Sequence, residues 1–458
     1  MDATQTDRQV RPVVAGETRD GTGWSEVVDR TTGDVFATVA VGESATVENA
    51  VAAARGAMPT ELETGVIQRA TWCESIASAV RDRSGELADA LVREAGVTIT
   101  SARAEVETAA AQFDGVAGTL RSLTGKHRTW TTASVAGDNS LVAAAPLGVV
   151  RCRPSERAPL AATALQVAPA VGAGNGVVVT PPASTPVAAS QLADIAVDHL
   201  PAGAVGFVPV EADEHADGGA DAADAVLASE AATGTPGVTR FQRRLGGGTT
   251  TLVFPDADVE AAAAAIAGDG PSTVERRLAG PARVLAHESV QDELVEALDA
   301  QLADWTSGDL FDETTTVAPQ RDAAGAERLA YYVDDAVTKG ATLVRGGDAD
   351  GRQFAPTVLA DVPADAALLS DGQPAPVVPV TPFHTESDAL ERAGAGGPAQ
   401  AVSVFTERHS LVMQVAEALD AGAISVGAAG VDERLQCLDG QRAREAVTRL
   451  TRTKRVIQ

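Results

Sequence analysis

The sequence predicts an α/β protein with a doubly wound, largely parallel sheet followed by a second α/β region. Three observations carry this expectation. Between residues 147 and 210, short apolar runs alternate with helical stretches, the pattern of parallel βαβ units. A similar alternation resumes near Leu245. The chain of 458 residues, 45% of them hydrophobic, is too long for one simple core and suits two or three α/β domains.

In chain order, residues 1–44 read as a polar lead and short strands around Thr32-Gly33, a turn dipeptide. A helix is expected from Ser44. Helical structure is expected again over 60–96, where Ile76, Val80, Leu87 and Leu91 return to one face, and over 100–123. Residues 128–145 alternate around Gly137-Asp138-Asn139 and predict a β-hairpin. Strands are expected at 147–151, 176–179 and 205–210, with helices at 159–171 and 186–199 between them. Residues 211–238, rich in Ala, Asp and Gly, read as weakly structured. Beyond them, strands are expected at 251–254 and 283–286, and Asp258 is expected to cap an Ala-rich helix. Ser289 and Asp292 stand at a capping-box spacing before a helix whose apolar face is Val290, Leu294, Leu298 and Leu302. A further helix carries Leu329, Val333 and Val337 and ends at Lys339-Gly340. The tail from Arg442 reads as a basic helix or strand.

Composition narrows the function classes. Aromatic residues make up only 3%, so Ala, Val and Leu must fill the core. Net charge is −27, from 63 acidic and 36 basic residues, and only Lys126, Lys339 and Lys454 are lysines. The acid is spread along the chain. That excess argues against nucleic acid and anionic membrane as partners, since both need basic patches. With lysine so scarce, the pattern resembles proteins of a salt-rich cytoplasm, where screening is strong. Cys73, Cys152 and Cys437 stand too far apart for a disulfide framework or a zinc site. His127, His199, His215, His287, His384 and His409 show no ligand spacing, so no metal is expected. The start MDATQTDRQV lacks a signal pattern and no apolar run approaches a membrane span, so a cytoplasmic protein is expected.

Ten segments, in order, resemble the aldehyde dehydrogenase superfamily: TTGDVFATV (31–39), LVREAG (91–96), PLGVV (146–150), VAPAVGAGNGVVV (167–179), LPAGAVGFVPV (200–210), LGGG with FPDADVE (245–260), RVLAHESV (283–290), FAPTVLADVP (354–363), SVFT (403–406) and TRTKRVI (451–457). The resemblance implies a Rossmann-like cofactor domain over 1–127 and 146–245, with N-terminal helices, and a catalytic-type α/β domain over 246–439. A β-hairpin oligomerisation arm over 128–145 and 440–458 completes it. The family oxidises aldehydes by covalent catalysis. A cysteine thiolate attacks the carbonyl, an asparagine and a backbone N–H hold the oxyanion, hydride passes to NAD(P), and a glutamate activates water.

Carried over position by position, these roles fall on other residues. Arg157 stands at the place of the asparagine, Arg244 at that of the glutamate base and Leu278 at that of the nucleophile. Thr180 takes the place of the lysine that binds the adenosine ribose, and 225–238 lacks the Gly-Ser phosphate turn. Gly372, beside Asp371, replaces the glutamate at the nicotinamide ribose. No cysteine lies anywhere between Cys152 and Cys437, so the nucleophile has no substitute in the region. A leucine forms no thiohemiacetal, and an arginine is no general base at neutral pH.

Cys152 is the one weak substitute candidate. Arg151 and Arg153 flank it and could lower its pKa, but strand neighbours alternate sides, so it reads as a buried strand cysteine. Gly246-Gly247-Gly248 could cradle a phosphate but reads rather as a tight turn, and Arg157, Arg244, Arg276 and Arg277 could make an anion site but read rather as ion-pair partners of the many acids. The expectation is therefore a pseudoenzyme that acts as a structural or regulatory partner. It would form a homo-oligomer, or a hetero-oligomer with an active relative. No cofactor is expected, beyond NAD or NADP at weak affinity. The alternative is an NAD(P)-dependent oxidoreductase acting on an aldehyde with residues other than the family's.

Overall fold

The computed structural model describes residues 8–58, 64–123, 126–129, 139–156, 158–211, 222–228, 239–242, 249–268, 282–370, 376–395, 397, 399, 401–428, 438 and 440–457. Two compact units divide the chain. One is Met1–Ala95, Ala102–Arg243 and Cys437–Gln458; the other is Gly96–Ser101 and Arg244–Gln436.

The first unit holds a seven-stranded sheet in the order Thr239–Gln242, Ala225–Ala228, Val149–Arg153, Gly176–Val179, Val205–Phe207, Val13–Val14, Glu17–Thr18. The first five strands run parallel and the last two are antiparallel additions. Val-rich runs with both faces covered are what a parallel sheet needs: Val149–Arg153 and Gly176–Val179 are buried throughout. The helices Pro159–Ala173 and Val187–His199 connect successive parallel strands. Pro159 sits at the first helical position, where a missing N–H costs nothing.

Within 211–238, read as weakly structured, Ala225–Ala228 is a strand; 212–221 and 229–238 lie outside the described residues. The strand pairs in parallel with Val149–Arg153 on one side and Thr239–Gln242 on the other. Its four residues, AVLA, carry little signal of their own; pairing on both edges supplies the rest.

In the same unit, the N-terminal strands Gln9–Val10, Val35–Val41 and Gly23–Val28 form a small sheet. The expected turn at Thr32-Gly33 is present: Gly33 has φ +85°, and the Asp29 carboxylate accepts Thr31 N–H (2.8 Å) and Oγ1 (2.6 Å). Helices Ser44–Ala57, Val66–Asp82 and Ser84–Ala95 follow, then Ile99–Ser122 from Ala102 onward. Strands Lys126–Thr129, Asn139–Pro146 and Thr451–Ile457 make a three-stranded antiparallel sheet with Asn139–Pro146 in the centre. Thr129 pairs with Asn139, so Asn139 is a strand residue and not part of the turn; Gly137 and Asp138 lie outside the described residues. The tail is both things expected of it, a helix Gly440–Arg449 and then the strand.

The second unit holds another seven-stranded sheet: Thr342–Arg345, Thr357–Ala360, Val377–Phe383, Ala282–His287, Thr249–Val253, Ala401–Phe405, Ile424–Val426. All neighbours are parallel except the first pair. Asp258 caps Val259–Ala267, accepting Ala261 N–H at 3.0 Å. The apolar face of helix Gln291–Ala303 is buried as expected, with Val290 just ahead of it. Two expectations fail here. Ser289 does not cap that helix: its hydroxyl bonds His287 Nδ1 (2.8 Å), and Val290 occupies the N-cap without a side-chain bond. Val337 is 41% exposed, and the buried face of Ala323–Thr338 is Ala326, Leu329, Tyr332, Val333 and Ala336. The core clusters consist mainly of Ala, Val and Leu, and Phe254 meets Phe383 edge-on at 5.4 Å.

Candidate functional site

In an open parallel sheet, ligands bind beyond the carboxyl ends of the strands. In the first unit that edge is set by the ends of Val149–Arg153 and Gly176–Val179. It holds Thr180 and Cys152, two of the residues singled out above. Arg157, Arg244, Leu278, Arg276, Arg277, Asp371, Gly372, the Gly246–Gly248 run and Cys437 all lie outside the described residues.

Alternation along Val149–Arg153 puts Arg151 and Arg153 on one side and Cys152 on the other. All three are buried, Arg151 completely. Burial lowers the Arg151 pKa to about 10, and Arg153 beside it pushes the same way. Arg151 therefore stays a cation at neutral pH, and its Nε donates to Thr180 Oγ1 at 3.0 Å. The Thr180 N–H donates to Cys152 O at 2.8 Å. Thr180 has no accessible surface. Its hydroxyl is engaged inside the sheet edge and does not fit contact with a ribose.

The thiols are equally closed. Burial alone drives the Cys152 pKa far above its ordinary value. Cys73, on helix Val66–Asp82, is pushed up to about 12 by burial, with Glu74 and Asp114 adding and Arg69 opposing. A thiol held in that state supplies almost no thiolate. The arginines beside Cys152 do not activate it, because they leave the strand on the opposite side.

Sequence reasoning missed two glutamates at the same edge. Glu94, at the end of helix Ser84–Ala95, accepts Val187 N–H (2.7 Å) and Ala188 N–H (2.8 Å), the first turn of Val187–His199. Glu105, on Ile99–Ser122, accepts Leu160 N–H (2.9 Å) and Ala161 N–H (3.2 Å), the first turn of Pro159–Ala173. Helix N-termini at this edge are natural anion sites; here the protein's own carboxylates fill both. Glu94 is wholly buried. Desolvation raises its pKa to about 7, the two N–H bonds oppose this, and Glu105 adds to it. The only signal in the sequence was an acidic residue at the end of an otherwise apolar helix face, in LVREAG.

Comparison with known proteins accords with this frame. The model of the aldehyde dehydrogenase family matches residues 17–441, so the chain belongs to that family. Aldehyde dehydrogenase family 2 member C4 of Arabidopsis thaliana is 29% identical over 424 residues, 88% of this chain and 83% of the relative. Among solved structures, an NAD-dependent benzaldehyde dehydrogenase from Corynebacterium glutamicum superposes with a TM-score of 0.86 at 23% identity, covering 98% of this chain and 96% of its own. An NADP-dependent enzyme of E. coli gives 0.87 at 22% identity, covering 100% and 99%.

These matches overturn one expectation. The sequence reading expects no cofactor beyond NAD or NADP at weak affinity, yet structures that match over nearly the whole chain are described as NAD- or NADP-dependent. The loss of single side chains was read as the loss of the ligand, although most contacts to a dinucleotide can come from backbone N–H groups and sheet-edge shape. Among the described residues, no helix is long and apolar enough to cross a membrane.

Proposed function

We propose that this chain is an aldehyde dehydrogenase family member that does not oxidise aldehydes through a cysteine thioester. It holds a nicotinamide dinucleotide without a ribose contact from residue 180. It serves as a structural or regulatory partner, assembling with itself or an active relative through the three-stranded sheet that contains the tail. The observation that carries the reading is the cysteine inventory: none between residues 152 and 437, and both described thiols sealed in the core. A second reading is favoured by the relatives, which are named as dehydrogenases: an NAD(P)-dependent oxidoreductase using other residues.

One assay separates the two. NAD(P)H formation is followed with short aliphatic and aromatic aldehydes at molar salt, for the native chain and for Cys152→Ala and Cys437→Ala. No turnover is expected. Turnover lost in either variant would restore a cysteine nucleophile and overturn the proposal; turnover that survives both would establish the second reading.

A further inference from the structure

In a doubly wound sheet the ligand crevice opens where the order of strand addition reverses. Here the chain runs from Val149–Arg153 outward through Gly176–Val179 and Val205–Phe207, then returns to add Ala225–Ala228 on the other side of the starting strand. The reversal therefore falls at Val149–Arg153, and the loop that leaves the carboxyl end of that strand carries Glu156. The Glu156 carboxylate accepts the hydroxyl of Ser184, which stands in the loop that leaves the next strand, Gly176–Val179. Both side chains are half-buried. The second loop, residues 180–186, reads TPPASTP and has no charge of its own. In doubly wound dinucleotide sites an acidic side chain near the second strand's end takes the adenosine ribose hydroxyl of NAD, whereas a nearby arginine accommodates the 2′-phosphate of NADP. The first loop thus delivers, across the strand ends, the negative charge that the second loop lacks.

We propose that Glu156, steadied by Ser184, meets the adenosine ribose diol of a bound dinucleotide and makes this chain select NAD over NADP. This rests on the reading, under Proposed function, that the chain holds a nicotinamide dinucleotide, and it adds which one. The fold leaves that choice open, since the matched structures include an NAD-dependent and an NADP-dependent enzyme. Thr180 is sealed and bonded to Arg151, so a ribose at this edge needs another partner. A carboxylate offers about four acceptor positions, enough for a diol besides the Ser184 hydroxyl. A 2′-phosphate would bring roughly two negative charges to the same place, and like charges in contact at a half-buried site exclude a partner strongly. Arg151 and Arg153, on the preceding strand, are buried, and the described residues of the two loops add no cation to offset that repulsion. The competing account is that Glu156 and Ser184 only fix one loop against the other.

Glutamine separates the two accounts, because it keeps an acceptor for Ser184 and loses the charge. NAD and NADP are titrated by calorimetry, at molar potassium chloride, into the native chain, Glu156→Gln and Ser184→Ala. Far-ultraviolet dichroism confirms folding in each case. The native chain is expected to bind NAD about tenfold or more tightly than NADP. Glu156→Gln should cut that ratio about fivefold or more, chiefly by admitting NADP. Ser184→Ala keeps the charge but releases the carboxylate, so it should weaken NAD and retain the preference. Equal native affinities, or tighter binding of NADP, would overturn the inference and leave the dinucleotide reading standing. A ratio unchanged in Glu156→Gln, or NAD held equally by all three proteins, would also overturn it and assign the pair to holding the loops. A native chain that binds neither dinucleotide would instead remove the dinucleotide reading itself, and this inference with it.

Discussion

Replacing Glu94 by glutamine should make the protein relatively more stable as pH rises. In the folded chain the Glu94 carboxyl has its pKa raised from 4.5 to about 7, chiefly by burial. A carboxyl that is harder to ionise when folded contributes its full stability below about pH 4.5 and loses it as pH rises through about 7. The span of about 2.5 pKa units corresponds to roughly 3 kcal/mol. Glutamine at this position keeps an acceptor for one of the N–H groups of Val187 and Ala188 and sets its own N–H₂ against the other, a cost of about 1–3 kcal/mol that does not vary with pH. Urea unfolding of the native chain and Glu94→Gln at pH 5 and pH 8, both at molar salt, isolates residue 94 because all other titrating groups are shared. The variant should be the less stable at pH 5, and the gap should close or reverse by pH 8, moving by about 2 kcal/mol or a little more in its favour. A gap that stays constant, or widens against the variant, would mean that the helix N-terminus holds the carboxylate ionised and that burial does not govern this site.

Two further outcomes are expected. Asn175, buried, accepts Gly148 N–H (3.0 Å) and donates to Ala170 O (3.2 Å) and Leu450 O (3.0 Å), tying the tail to the sheet. Asn175→Ala should cost about 3 kcal/mol in urea unfolding and should speed proteolytic loss of residues 450–458; unchanged cleavage would show that the tail is held by other contacts. The net charge of −27 predicts a thermal midpoint that rises from dilute buffer to molar potassium chloride as self-repulsion is screened; a flat midpoint would contradict it.

Local pattern and long-range pairing were unequally legible. The strands and helices between 149 and 207 could be read because apolar pattern and length agreed within each segment. The Ala225–Ala228 strand could not, since four apolar residues are too short a run to mark a strand without two neighbours distant in sequence. Ser289 failed as a cap for a nearer reason: His287 two residues back offers its hydroxyl a competing acceptor or donor. Val337 has helical spacing to Val333 but sits one position off the buried stripe, and spacing alone does not mark where a stripe ends.

For the site, the sequence located Thr180 and Cys152 at strand ends, but their chemistry depends on what lies across the strands. In the sequence, Thr180 takes the place of a ribose-binding lysine. Its hydroxyl is instead taken by a fully buried arginine 29 residues earlier in the chain. The two glutamates were invisible for a related reason: Glu94 meets its N–H partners 93 and 94 residues away, and Glu105 meets its own 55 and 56 away. Together these contacts show how the edge is built. In a parallel sheet the helix N-termini gather at the carboxyl ends of the strands, and each leaves N–H groups that need an acceptor. Where a ligand phosphate supplies the acceptor, the helix is free to bind. Where a buried carboxylate supplies it, the helix is fixed before any ligand arrives. The helices Pro159–Ala173 and Val187–His199 are of the second kind. The N–H groups of Leu160, Ala161, Val187 and Ala188 are therefore not free to meet a ligand phosphate.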